Sequence, residues 1–195
     1  LAALGDPRFD EKRLHLPALL RGQPESALGF VKIPAGTFTM GSSKEDSEAY
    51  SDEKPAHTVT LPDFWMARYP VTNAQYHHFI EAEGYNTEKY WTPAGWEWRN
   101  GQNYDVATIK DYDLRKNYQD WLAERPKDRR DRPYWWNDPQ WAVPTRPVVG
   151  VSWYEAMAYC KWLDEQLRAS QPDLFLKNYE VRLPTEAEWE KAARG

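Results

Sequence analysis

Three short runs in this chain limit its folds more than any other feature. They are Thr72-Asn-Ala-Gln75, Ser152-Trp-Tyr-Glu155 and Thr185-Glu-Ala-Glu188. Each has the form of a capping box. The hydroxyl accepts from the backbone N–H three residues on, and the Gln or Glu side chain reaches back to the N–H of the cap. Such a cap contributes about 1 kcal/mol and fixes where a helix begins. Behind the first cap, Tyr76, Phe79 and Ile80 share a face, Val71 and Tyr76 fall at hydrophobic-staple positions, and Gly84 is suited to the C′ position. Behind the second, Ala156, Tyr159, Cys160, Leu163 and Leu167 form an apolar stripe. Behind the third come Trp189, Ala192 and Ala193.

Strand patterns occupy the region before the first helix. Val31 and Ile33 alternate ahead of Pro34-Ala35-Gly36, and Phe38 and Met40 alternate after it, which predicts a hairpin ending at Gly41. His57–Leu61 alternates as a strand, with 64–69 as its antiparallel partner across Pro62-Asp63. Between them, residues 42–55 are acidic and read as a surface loop without the Asp-x-Asp-x-Asp-Gly spacing of a calcium site. Residues 1–29 read as a lead-in with a turn of helix over 16–20. The stretch 85–147 is a long connection dense in aromatics, with a short helix around Tyr118, Trp121 and Leu122 and a charge-rich run over 127–132. A short apolar strand is expected over 147–151.

Composition narrows the classes of function. The 195 residues carry a formal net charge of -5, which argues against a nucleic-acid binder with a basic face. No apolar run approaches the roughly 18 residues of a membrane span, so neither nucleic acid nor membrane is expected as a partner. Cys160 is the one cysteine. No internal disulfide and no Cys-based zinc cluster can form within these residues, which suits a reducing, cytoplasmic compartment. On the apolar stripe, Cys160 reads as a structural thiol. His57, at a strand entry, reads as a hydrogen-bonding residue. His77 and His78 project about 100° apart on a helix and do not converge on one metal. The 11 Trp and 12 Tyr supply either core or an aromatic binding surface.

Seven phrases in order carry a resemblance: residues 31–42, 53–57, 69–76, 90–98, 147–153, 158–163 and 182–195, the last reading Arg-Leu-Pro-Thr-Glu-Ala-Glu-Trp-Glu-Lys-Ala-Ala-Arg-Gly. From about residue 30 to 195 the chain resembles the N-terminal half of the formylglycine-generating enzyme (sulfatase-modifying factor) family, with residues 99–140 resembling an insertion. The resemblance implies an α+β, C-type-lectin-like fold with long ordered loops. It implies either a copper-dependent oxidase that converts a sulfatase cysteine to formylglycine, a related sulfoxide synthase, or a binding module such as a retroelement-diversified variable protein or a bacterial defence or sensor protein. The family's paired copper-binding cysteines lie beyond the last phrase, so the resemblance places no catalytic residue, metal ligand or cofactor in this chain. Copper belongs to the oxidase reading, and calcium is a candidate for the remaining half.

The leading expectation is a binding module for a protein or small ligand within a larger bacterial protein. Trp96, Trp98, Trp135 and Trp136 are its candidate ligand-binding residues, and the alternative use of these rings is to pack the aromatic segment. The oxidase and a purely structural domain are the other readings. Tyr76, Leu163 and Trp189 are expected to form an exposed apolar face that meets the remaining half of the domain, on a second chain or in sequence outside these residues.

Overall fold

The computed structural model describes residues 30–102, 106–170 and 179–194. The expected lead-in and its turn over 16–20 lie outside the described residues. The described residues divide into two compact units: one lies within 70–183, the other comprises 30–69 with 184–194.

The second unit is built on a bent ribbon of four strands: β1 (Phe30–Ile33), β2 (Gly36–Met40), β3 (His57–Leu61) and β4 (Phe64–Ala67). The strands fall where alternation predicts, but their pairing differs. β1 pairs with β4, not β2, and β2 pairs with β3. Ile33 faces Phe64 and Gly36 faces Leu61, so one antiparallel register runs through both pairs. The interruption falls where Pro34-Ala35 meets Pro62-Asp63. A proline has no N–H to give to a ladder, so Pro34 and Pro62 bend a single long hairpin and do not begin two short ones. Its connection spans residues 41–56 and starts at Gly41, with φ +83; a Cβ there would lie 2.7 Å from the Glu53 carbonyl oxygen. Ser42 N donates to Glu53 O at 2.7 Å and closes the loop. The helix at 186–194, named below, also belongs to this unit.

The first unit is helical: α1 (Asn73–Glu81), α2 (Pro93–Arg99), α3 (Tyr112–Glu124) and α4 (Trp153–Ser170). All three capping boxes form. Thr72 N donates to Gln75 Oε1 at 2.9 Å and Gln75 N to Thr72 Oγ1 at 3.3 Å. The Ser152–Glu155 pair repeats this at 2.6 and 3.3 Å. Thr185–Glu188 does so at 2.8 and 3.2 Å, at the start of α5 (Glu186–Arg194) in the second unit.

Several local expectations are corrected. α1 closes with Ala82 as C-cap and Glu83 in the left-handed position, φ 55. Gly84 is instead required by close approach, because a Cβ would sit 2.0 Å from Phe79 Cε2. The long aromatic stretch is not a single irregular connection: Thr92 caps α2 with Pro93 at its first turn, and Asp111 caps a 13-residue α3. The strand expected over 147–151 reduces to one bridge, Thr72 with Pro147. The inward face of α4 is rotated from the expected stripe. Glu155, Ala158, Tyr159, Trp162, Leu163 and Leu167 are buried, while Ala156 and Cys160 lie at its margin.

Nine aromatic residues lie in the core. Tyr76 stacks on Tyr159 at 5.0 Å, and Phe79 meets Trp162 at 5.6 Å and Tyr85 at 5.4 Å. The chain of rings continues through Trp91 to Trp98 and Trp121. Each such burial contributes about 1.5–3 kcal/mol. Tyr76 and Leu163, expected on an exposed face, are 2% and 6% accessible, whereas Trp189 is 63% accessible. Among the described residues no helix is long and apolar enough to cross a membrane.

The approach of Phe79 to Gly84 sets a test. Gly84→Ala should lower stability by about 1–3 kcal/mol through overpacking, read from urea unfolding. Glu83→Gly, which relieves a left-handed side chain, should stay within about 1 kcal/mol of the wild type. Equal stability of Gly84→Ala and wild type would show that the ring does not pack there.

Candidate functional site

The N-terminal turn of α4 places Glu155 at the third helical position, where a capping-box carboxylate ordinarily stays at the surface. Here it is fully buried. Its Oε2 accepts from Ser152 N at 2.6 Å and Arg125 Nη1 at 3.2 Å. Its Oε1 accepts from Arg125 Nη2 at 2.5 Å and from the Tyr85 hydroxyl at 2.7 Å. The Tyr85 and Tyr76 hydroxyls lie 3.1 Å apart. Burial, reinforced by the nearby Glu155 charge, raises both phenols well above their ordinary value, so they act as neutral donors.

Arg125 reaches this carboxylate because it ends α3, where its N–H still bonds Trp121 O at 3.0 Å. Its Nη2 also donates to Arg132 O at 2.5 Å. Arg130, from the charge-rich run, is also internal at 1% accessibility. It donates to Arg125 O at 3.0 Å and Trp98 O at 2.6 Å. The two guanidinium carbons lie 5.3 and 5.1 Å from the Trp98 ring centre, where an aromatic face stabilises a desolvated cation. Arg125 Nε is buried without a hydrogen-bond partner.

Chemically, this cluster is a lock and not a reacting centre. Both oxygens of Glu155 are engaged twice, and the neighbouring phenols resist ionisation. No group here is poised to abstract a proton or attack a substrate. It joins α3, α4 and the turn at Gly84–Asn86 through one carboxylate.

The candidate ligand-binding residues separate into two places. Trp98 is buried at 5% accessibility between Trp91, Trp121 and the two arginines. Trp96, half-buried, meets Trp91 at 6.4 Å. Trp136 lies against Tyr76 and His77 at 6.3 and 5.8 Å. Trp135 is 43% accessible, with its ring against Tyr134 at 4.5 Å. Among the described residues no ring contact links Trp96 or Trp98 to Trp135 or Trp136. The segment carrying the second pair is held by a residue that sequence reasoning passed over. Asn73 Nδ2 donates to Trp141 O at 2.6 Å and Val143 O at 2.9 Å, while Asn73 N and Ala74 N bond Arg146 O and Pro144 O. This clamp holds an irregular segment with Trp135 and Trp141 partly in solvent.

Copper, which the resemblance attaches to the oxidase reading, does not fit the residues described. Burial pushes the Cys160 thiol up to about 11, so it remains protonated near neutrality and lacks the thiolate that Cu(I) favours. His77 and His78 each approach Glu81 at 3.5 Å, and His57 Nδ1 lies 3.0 Å from Pro55 O. Among the described residues there is no cluster of three or more His, Cys, Asp or Glu suited to a metal ion.

Two measurements check these assignments. Arg125→Met leaves Glu155 buried without its cation and should cost about 3–5 kcal/mol. Adding Glu155→Gln, which keeps the cap acceptor and removes the charge, should recover at least about 1 kcal/mol of that loss. Identical losses for the single and double variants would exclude the lock. Cys160 should react with iodoacetamide at pH 8 about 100-fold more slowly than a cysteine of ordinary pKa, and its rate should keep climbing toward pH 11; a plateau near pH 9 would contradict the burial.

The model of the sulfatase-modifying factor enzyme 1-like domain matches residues 17–195, beginning earlier than the phrases that carry the resemblance. A formylglycine-generating enzyme of Thermomonospora curvata is 35% identical over 90% of this chain and 52% of its own length. A hercynine oxygenase of Mycolicibacterium smegmatis is 31% identical over 96% of this chain and 36% of its own. The formylglycine-generating enzyme of Bos taurus is 31% identical over 89% and 41%. The chain thus spans from about a third to about half the length of these relatives. With a family match across nearly its whole length and these relatives beside it, the chain belongs to the sulfatase-modifying factor (formylglycine-generating enzyme-like) domain family.

Proposed function

We infer that this chain is the scaffold portion of an oxygen-using enzyme domain that acts on a sulfur-containing substrate or its precursor. The observation that carries this reading is the reach of the similarity. Formylglycine-generating enzymes and hercynine oxygenases align with about nine-tenths of the chain, and the family's match over residues 17–195 takes in all three capped helices. In this reading the mixed α/β framework is part of a C-type-lectin-like domain. The buried Glu155–Arg125 lock holds its helices rigid, which is what a positioned reacting centre requires of its support. The metal ligands would come from residues other than these, because Cys160 is a protonated, packed thiol.

A second reading, a ligand-binding module, is favoured by a specific observation. Trp135, Trp141 and Trp153 are 43%, 37% and 59% accessible, and an aromatic ring held partly in solvent suits binding. The experiment that separates the two uses the full-length gene product loaded with Cu(I). Oxygen uptake is followed with a cysteine-containing peptide and, in parallel, with hercynine together with free cysteine as the sulfur donor. The oxidase reading expects uptake with either substrate, with consumption of the peptide thiol or sulfoxidation coupled to hercynine. Absence of uptake with both, in a protein that binds copper, would leave the binding-module reading in its place.

A further inference from the structure

α5 is unusual in the face it turns toward its own unit. Its large apolar residue, Trp189, is exposed, while three charged side chains reach the β2 side of the ribbon. Glu190 Oε1 accepts from Gly41 N at 2.8 Å. Arg194 Nη2 donates to Gly41 O at 2.9 Å, and Arg194 Nε holds Glu190 Oε1 at 2.7 Å. Lys191 Nζ donates to Pro34 O at 2.8 Å and Gly36 O at 3.0 Å. Both backbone groups of Gly41 are thus satisfied as a neighbouring strand would satisfy them, but by side chains one helical turn apart.

Among the described residues β2 has a single strand neighbour, β3. An uncovered strand edge is a template for pairing with another chain, and covering it with a helix is one way to prevent that. The β2 sequence, Gly-Thr-Phe-Thr-Met, has no charge to repel a second copy of itself. Its alternating Thr and apolar residues suit strand pairing.

We propose that α5 is an edge guard: Glu190, Lys191 and Arg194 hold backbone groups at the two ends of β2, the Gly36 carbonyl and both groups of Gly41, and so prevent β2 of a second copy from adding along the edge between them. Because the guard acts through polar contacts to backbone groups, weakening those contacts should release it while the ribbon itself stays paired. The exposed edge would then take an antiparallel, two-fold partner.

The test is the full chain carrying Glu190→Gln, Lys191→Gln and Arg194→Gln, followed by amide exchange and light scattering. Exchange over residues 186–194 should accelerate at least about tenfold. A concentration-dependent dimer should appear, with amides of 36–41 protected within it. Adding Thr39→Lys, which sets like charges along the new interface, should return the monomer. Accelerated exchange in a protein that stays monomeric would overturn the proposal. So would unchanged exchange, or a dimer that survives Thr39→Lys. If the triple variant does not fold, Lys191→Gln alone, which frees only the Pro34 and Gly36 carbonyls, carries the same three readouts.

Discussion

One carboxylate organises the helical unit. Glu155 caps α4, binds the guanidinium at the end of α3 and accepts the Tyr85 hydroxyl, all from full burial. A buried charge is tolerated only when its partners replace the water it has lost. Here those partners come from separate stretches of the chain, so burying Glu155 requires Arg125, Tyr85 and Ser152 to arrive together. The rotation of the α4 face follows from the same demand. A carboxylate drawn inward at 155 brings 158, 159 and 162 with it and leaves Cys160 at the margin.

Aromatic residues complete this arrangement. Trp98 lies against Trp91 and Trp121 while its face supports two guanidiniums, so a single ring is both core and counter-surface for charge. That explains how the helical unit can bury two arginines beside Glu155. Delocalised guanidinium planes stack on indoles and are weakly hydrated, as ammonium groups are not. Nine of the aromatic rings are therefore architecture. Among the partly exposed rings, Trp135 and Trp141 sit on the segment that Asn73 clamps.

The ribbon unit relies on a different balance. Its strands alternate in the expected way, yet the residues that decide pairing are two prolines, Pro34 and Pro62, that interrupt the ladder at neighbouring positions on facing strands. α5 docks to it through Glu190, Lys191 and Arg194, with Trp189 outward, a reversal of the usual amphipathic rule. Polar side chains prevail at this face because the surface they meet is a row of backbone groups, which apolar side chains would leave unsatisfied.

Local chemistry decided what the sequence could say unaided. A hydroxyl and a carboxylate or amide three residues apart fix a helix start through bonds that lie within one turn, so the caps at Thr72, Ser152 and Thr185 were legible, as were the alternating strands. The phrases between them were specific enough to indicate the family. Which strands pair, which side of α4 faces inward, why Gly84 has no side chain and where Arg125 and Arg130 end depended on contacts between residues distant in the chain. No short window records such contacts, because a buried charge and its partner leave no periodicity and need only meet in space. For that reason tertiary structure alone determined that Glu155 is more than a cap and that Trp98 belongs to the core.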